Sequence, residues 1–582
     1  MKRAALLLER SPLQIAIALN AVVFAIVYAT YTATFLTNDD TSMMLRAAGV
    51  SKVSEPSAMI LFTHVAIGWC LKTLYSLAGH VPWYAIYLVS CLFVAHTAIL
   101  YAALWRKPDL RIIGFFILYF LAFGTQILQQ LQFTIVASYL SFAGFALLVI
   151  EAGPRSESET AEPRRLSWQL VLGIALVVLG CMIRWRAMVM ATALFVPFFA
   201  MLALRPSLRG ALVRLWPIAL AILLSGLARE SNEAVYQADP GWKSYREFRP
   251  KRAEFVDYAA LNRLPEEQRL KVLNSVGWSG NDYRIMELRF FMDEELYTVE
   301  RFQALIDRLP PHNAAEPIPG LKGLSTRITS DSSLRAFALC LLIAIASRWR
   351  SATALPLAGA VLAFCGVMGV LVFYFKPPPS RVLLPMLGYL VVAPLLLYEA
   401  PLQRRVVRAI AALLCLFWLA AQLPEAQAAN AARSQRADAE NEFLHAQLEL
   451  LDPQPTTLYV TWDSRFPAKL VLPFEDISYL DAFQTLGLGT AQRSPAAAEQ
   501  LATHGIEDLY LALATRDDVL IVSERPDLLE LYTEYMKQHY QLRVSSRVTY
   551  QKGPLQIFAI ESHGPVATND ALDRGVEAPE RP

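Results

Sequence analysis

Apolar residues run along this chain in long unbroken blocks, not in the alternating or three-to-four-residue patterns that give a soluble strand or helix one buried face. Leu13 to Leu36 is the first block, about two dozen residues without a charge, enough to cross a bilayer as a helix. Counting that block as 13–36, spans are predicted at roughly 82–104, 112–128, 134–151, 168–183, 187–204, 215–228, 334–347, 352–375, 382–398 and 409–423, about eleven crossings in all. Two hydrophilic regions interrupt them. Residues 229–333 show helical patterning at 244–260, 266–274, 282–291 and 298–308 and predict a small helical loop domain. Residues 450–562 show short β-type runs at 457–461, 519–523, 542–550 and 555–561 around an amphipathic helix at 526–540, and predict a compact α/β domain. A polar, alanine-rich helical linker (425–449) joins this domain to the last span, and 563–582 reads as a disordered tail.

The stretch 57–78 is also long enough to cross, and charge decides against it. If it stays on one side, short loops on the N-terminal side carry 17 Lys or Arg and those on the other side carry 6; if it crosses, the counts become 7 and 16. The positive-inside rule selects the first arrangement. The chain is therefore read as having a cytoplasmic N-terminus, a juxtamembrane helix at 57–78 on the outer face, and both hydrophilic domains outside.

Composition agrees with this class. Over 582 residues, 55% are hydrophobic and 18% charged, with a mean hydropathy of +0.35, too apolar for an ordinary soluble protein. A net charge of +2 with no long basic cluster sets nucleic acid aside. All six cysteines fall inside apolar blocks, which implies neither a disulfide framework nor a CxxC metal site.

Candidate chemistry begins at Asp39 and Asp40, just after the first block. Carboxylates beside hydrocarbon lose hydration, so an adjacent pair calls for a partner, a metal or a reaction. A helix cap accounts for one: Thr37, Asn38 or Asp39 is placed to cap a helix starting near Thr41, which leaves Asp40 free and makes it the slightly favoured base. Arg184, Arg186, Lys376 and Arg381 break the charge rule at outer span ends, as Arg46 and Lys52 do beside the aspartates. A cationic rim suits a lipid phosphate, whereas any single member is explained by snorkelling to headgroups. Weaker candidates for substrate binding are His64 on the juxtamembrane helix, Gln126 and Gln130 near the outer end of the third span, and Trp278 and Asp282 in the large loop. Packed or interfacial histidine, interhelical amide bonds and a turn with a capping Asp282 are the corresponding structural roles. No His/Cys cluster indicates zinc and no Gly-rich fingerprint indicates a nucleotide; no cofactor is assigned, and a divalent cation on Asp39 or Asp40 stays open.

The first span, Asn38-Asp39-Asp40 at its outer end, the juxtamembrane helix introduced by Glu55-Pro56, the second span ending in Arg106-Lys107, and an extracytoplasmic C-terminal domain together resemble the GT-C glycosyltransferases. In layout the chain is similar to the protein mannosyltransferases and the lipid A aminoarabinose transferases. The resemblance implies a mainly α, polytopic membrane enzyme of the bacterial inner membrane. It implies a polyprenyl-phosphate-linked sugar as donor, an extracytoplasmic glycan, lipid or protein as acceptor, and a first-loop aspartate in the catalytic role. The Trp-Trp-Asp signature of oligosaccharyltransferases is missing, so en bloc transfer to asparagine is not expected. Rival readings are a lipid-linked saccharide flippase and a non-catalytic glycan-binding scaffold; the lack of Asp, Glu, Lys or Arg at the predicted span centres, where only His96 lies near one, counts against a coupled transporter.

Overall fold

The computed structural model describes residues 9–50, 55–152, 167–204, 208–309, 317–347, 351–375, 378–399, 405–448 and 456–566. From the N-terminus come helices α1 (Pro12–Thr30), α2 (Asn38–Ala48), α3 (Val65–Leu77), α4 (Trp83–Arg106) and α5 (Leu110–Tyr119), which passes through a π-turn at Phe120–Gly124 into α6 (Thr125–Gln129). Then follow α7 (Phe133–Ala152), α8 (Trp168–Ile183), α9 (Trp185–Ala203) and α10 (Leu208–Ala238). The loop domain contains α11 (Pro240–Val256), α12 (Glu266–Asn274), α13 (Gly280–Glu287) and α14 (Val299–Arg308). The chain returns to apolar helices with α15 (Pro317–Ile328), α16 (Asp331–Ala346), α17 (Ser351–Val370), α18 (Ser380–Leu396) and α19 (Arg405–Leu448).

Each predicted crossing falls on helix. Among the described residues seven helices are long and apolar enough to span a membrane, and the pair 322–328 and 331–346, bent by 64°, makes an eighth. Helices α8 and α18 are shorter, at 16 and 17 residues, and the crossing expected at 409–423 is the opening part of the 44-residue α19. The first crossing stops at Thr30 and not at Leu36, because Tyr31 turns extended and Thr34–Phe35 forms a short strand. Two expected boundaries are bridged by helix: α10 runs from the membrane block into the loop domain, and α19 runs through 424/425 despite Pro424. Both continue because the polar residues beyond the apolar block are themselves good helix formers, alanine above all.

Two faces of the bundle are fixed by contacts. Helix α4 begins at one face, where the Tyr84 hydroxyl meets Asp40, and ends at the other, where Arg106 donates to the carbonyl of Leu396 at the end of α18. Helix α18 begins back at the first face, with Arg381 beside Asp39, so its 17 residues connect the same two faces. Helix α3 does not. At its start the His64 amide donates to the Met182 carbonyl (2.7 Å), and the Tyr75 hydroxyl near its end accepts from the Tyr84 amide (3.1 Å). Both ends thus lie at the Asp39 face, and α3 runs along it. Within the bundle, His96 is satisfied without charge: Nδ1–H donates to the Leu92 carbonyl, Nε2 accepts from Tyr119 at 2.8 Å, and Tyr139 bonds to Tyr119 at 2.8 Å. A buried polar group closed in this way costs little and holds its neighbours in register.

The two hydrophilic regions, expected as separate units, share one core. Strands β3 (Leu458–Thr461), β4 (Gln484–Gly487), β5 (Val519–Ser523), β6 (Leu542–Lys552) and β7 (Leu555–Pro565) form a sheet of order β4-β3-β5-β7-β6, parallel across its first three strands and antiparallel after. Here β1 and β2 are the short pair Thr34–Phe35 and Gln130–Leu131. The amphipathic segment forms helix Leu528–His539 with Leu528, Leu529, Tyr532, Tyr535 and Met536 buried. Phe290 of the loop domain stacks on Tyr510 of the α/β region at 4.3 Å, and the Trp462 indole donates to the Leu288 carbonyl at 2.8 Å. This joint body sits on the Asp39 face: Phe474 packs edge-on against Tyr28 near the end of α1, and Arg46 of α2 reaches Ser494.

Candidate active site

The approach to the aspartates is held from both sides. Strand β1 pairs in parallel with β2, Thr34 opposite Gln130 and Phe35 opposite Leu131, and the Leu36 amide adds a bond to the Leu131 carbonyl (3.0 Å). Thr37 then takes extended backbone as N-cap of α2. This clamp sets the first turn of α2 against the first turn of α7.

Asp40 is fully buried there. One carboxyl oxygen accepts from the Phe133 amide (3.0 Å) and the Tyr84 hydroxyl (3.1 Å), the other from Thr37 Oγ1 (3.0 Å). Phe133 is the first residue of α7, so Asp40 satisfies an amide that has no partner within that helix, and Gln132 Oε1 takes the next two, Thr134 and Ile135. Asp40 thus caps a helix distant in sequence, the reverse of its expected freedom. Burial pushes its carboxyl up to about 7, against the pull of those three donors.

Asp39, the residue expected to cap, is the half-exposed one. Its carboxylate lies 3.6 Å from Arg381 Nη1, with side chains 25% and 38% exposed. Arg184, in the single non-helical position between α8 and α9, interacts electrostatically with Asp39, Arg186, Arg381 and Arg249. Of the four cations predicted for a phosphate, Arg381 faces Asp39, while Arg184, with Arg186 two residues further on, lies within electrostatic range of both; Lys376 lies outside the described residues, as does Lys52. Among the described residues only Arg381 of these three has a carboxylate within ion-pair distance. Arg46 is buried elsewhere: it donates to Ser494 Oγ at 3.4 Å and lies over Trp242 at 5.8 Å, tying α2 to the joint hydrophilic body.

A loop crossing from α2 to α3 completes this face. Gly49 ends α2 at φ +77°, and a side chain there would stand 2.4 Å from the Pro56 nitrogen. Gly68 lets the loop lie on α3, since a Cβ would meet the Ala58 carbonyl at 1.9 Å. The loop presents Phe62, which stacks on Phe133 (5.6 Å, 20°). Arg184 lies over both rings, at 5.1 and 5.3 Å, and Arg249 over Phe62 at 4.4 Å.

The weaker candidates are occupied by structure. His64 is the N-cap of α3; its Nδ1 accepts from the Ala66 amide (3.0 Å), which puts the proton on Nε2, 2.9 Å from the Ala228 carbonyl. Gln126 and Gln130 bond to one another at 3.1 Å, with Ser332 donating to Gln126 at 3.4 Å. Trp278 is in the loop-domain core with its indole on the Leu296 carbonyl, and Asp282 forms a capping box with Ser279 and bonds to His539 at 2.7 Å. Among the described residues no three or more His, Cys, Asp or Glu gather as a metal site would require.

Sequence reasoning missed Tyr84, Phe62, Phe133 and Arg249. A signal for Arg249 exists: Lys243, Arg246, Arg249 and Arg252 recur every third residue along one helix. No signal tied Phe133 to Asp40, since the contact joins residues 93 apart.

No family model matches the chain, and no curated protein matches it. Among solved structures it is similar to the crystal structure of ArnT from Cupriavidus metallidurans bound to undecaprenyl phosphate, at 12% identity and a TM-score of 0.38, covering 94% of this chain and 97% of that one. That distance is too great to assign an activity.

Proposed function

We propose that this protein is a membrane glycosyltransferase that moves a sugar from a polyprenyl-phosphate donor to a hydroxyl of an extracytoplasmic glycan, lipid or protein, with inversion. The observation that carries the reading is Asp39: a part-exposed carboxylate at the end of the bundle that carries the joint hydrophilic body, paired with Arg381 and within electrostatic range of Arg184. Transfer from a lipid phosphate needs a base for the acceptor hydroxyl and cations for the phosphate that leaves. Both are present within one group.

In the reaction the acceptor O–H gives its proton to Asp39 while its oxygen forms a bond to the sugar C1. The bond from C1 to the phosphate oxygen breaks with its electron pair on oxygen, so a phosphodiester monoanion becomes a phosphomonoester. The arginines bind the phosphate before transfer and bind it more tightly as its charge grows, which lowers the barrier. Arg381 is suited to exchange Asp39 for phosphate, because a partly exposed ion pair is worth only about 0–1 kcal/mol. Asp40 holds α2 against α7 and so positions Asp39 without touching substrate. The charge bias of the loops supports an outward orientation for this face. The sealed His96 chain gives no intramembrane charge for coupled transport, which favours transfer over the flippase reading.

The test is transfer of labelled sugar from polyprenyl phosphate by the purified protein, together with mass spectrometry of surface glycans and polyprenyl-linked sugars in cells lacking it. Loss of one surface sugar with accumulation of its lipid-linked form is expected. Unchanged glycans and unchanged lipid-linked pools would overturn the reading.

A further inference from the structure

Arg184 and Arg249 come from different parts of the molecule, yet both lie on the ring of Phe62, at 5.1 and 4.4 Å. Arg184 belongs to the membrane bundle, at the joint of α8 and α9; Arg249 belongs to α11 of the outer body. Their neighbours on α11 are neutralised: Arg246 pairs with Glu233, and Arg252 with Asp257 at 3.0 Å. Among the described residues Arg249 and Arg184 have no carboxylate within ion-pair distance, and the two guanidinium groups share the ring of Phe62. Two like charges held together around one aromatic ring repel, and ring contacts offset that only in part. Because Arg249 sits on a helix of the outer body, snorkelling to lipid headgroups does not explain it.

What the pair lacks is an anion with more than one charge. Asp39 supplies one negative charge nearby, and that charge is paired with Arg381. The donor phosphodiester supplies a second, and the released phosphomonoester carries up to two. From this geometry we infer that Arg249 is a phosphate-binding residue of the same site, contributed by the outer body, and that with Arg184 it selects the phosphomonoester that forms on transfer over the phosphodiester that enters. The inference rests on the proposed transferase reading and names the outer body as part of the donor site.

The full-length protein is tested for binding of undecaprenyl monophosphate, of a neutral-headed undecaprenyl phosphodiester, and of inorganic phosphate. Wild type is expected to prefer the monoester to the diester. Arg249→Ala is expected to weaken monoester binding by about tenfold or more, the range of a lost charge-assisted bond, and to change diester binding less, so that the preference shrinks. A merely structural residue would lower both equally. Arg249→Gln, which keeps most of the stem on Phe62, carries the same test should the alanine variant melt early. Equal losses for both lipids, or none, would overturn the role of Arg249. If Arg184→Ala abolishes lipid binding while Arg249→Ala does not, the transferase reading survives and this inference falls. If neither variant affects binding, both fall. Competition by inorganic phosphate at concentrations equal to the lipid would overturn the lipid as the occupant.

Discussion

Asp39 and Asp40 are adjacent in sequence and opposite in environment. Asp40 is buried with three donors on its carboxyl group, whereas Asp39 faces Arg381 at 3.6 Å with a quarter of its side chain exposed. One residue step along the helix separates them by about 100°, enough to send one into the joint between α2 and α7 and the other to the surface beside Arg381. The acidic pair therefore places one carboxylate in the packing and the other at the surface.

The first prediction follows from that division. Asp39→Asn keeps shape and removes the base, so it should lower transfer by on the order of 10²- to 10⁴-fold with donor binding retained. Asp40→Asn keeps an oxygen for Phe133 and Tyr84 and should leave transfer within a few fold of wild type. The measurement is sugar transfer by each purified variant. The opposite pattern, an active Asp39 variant and a dead but folded Asp40 variant, would move the base to Asp40.

Stability against pH gives the second prediction. Asp40 titrates at about 7 in the fold against an ordinary value of 3.8, so its folded-state pKa is raised. Its favourable contribution is whole below the ordinary value and is lost as pH rises through about 7. The loss is on the order of 4 kcal/mol if fully realised. Asp40→Asn has no proton to lose. Its thermal midpoint should therefore match wild type only below about pH 4, draw ahead as pH rises, and exceed it most at pH 8. Parallel pH profiles for the two proteins would show that Asp40 is ionised throughout.

Much of the fold was legible because lipid leaves few options: apolar blocks of span length became helices, and the charge count separated 57–78 from the crossings. The loop-domain helices and the helix at Leu528–His539 followed from period alone. Strand β4 and the helices Pro495–Thr503 and Leu509–Thr515 did not, being short and lacking a clear alternation. At the site, Asp39 and Arg381 were legible as charges out of place. The exchange of roles between Asp39 and Asp40 was not, because it depends on the amide of Phe133 arriving from another helix.

Topology supplies the third prediction. Ser244 on α11 and Ser562 on β7 are both exposed and belong to the body on the Asp39 face. Cysteines at these positions, in a background without the six native ones, should react with a membrane-impermeant maleimide added outside intact right-side-out inner-membrane vesicles. Reaction only after the inner membrane is opened would place the site in the cytoplasm and remove the extracytoplasmic acceptor.

The last prediction separates the two arginines that the donor meets inside the bundle. Arg184 lies over Phe62 and Phe133 with no carboxylate in ion-pair range among the described residues, so its charge is already committed to whatever anion binds. Arg381 is held by Asp39 and must exchange partners. Arg184→Ala should therefore weaken binding of polyprenyl phosphate by tenfold or more and raise KM, because the phosphate is charged before transfer as well as during it. Arg381→Ala should act twice: it removes one phosphate contact, and it removes the side chain that faces and holds Asp39. Its rate should therefore fall more than its affinity. Steady-state kinetics with each variant, read against direct lipid binding, distinguishes these effects. An Arg381→Ala enzyme whose rate falls no further than its affinity would mean that the Asp39–Arg381 pair does not position the base.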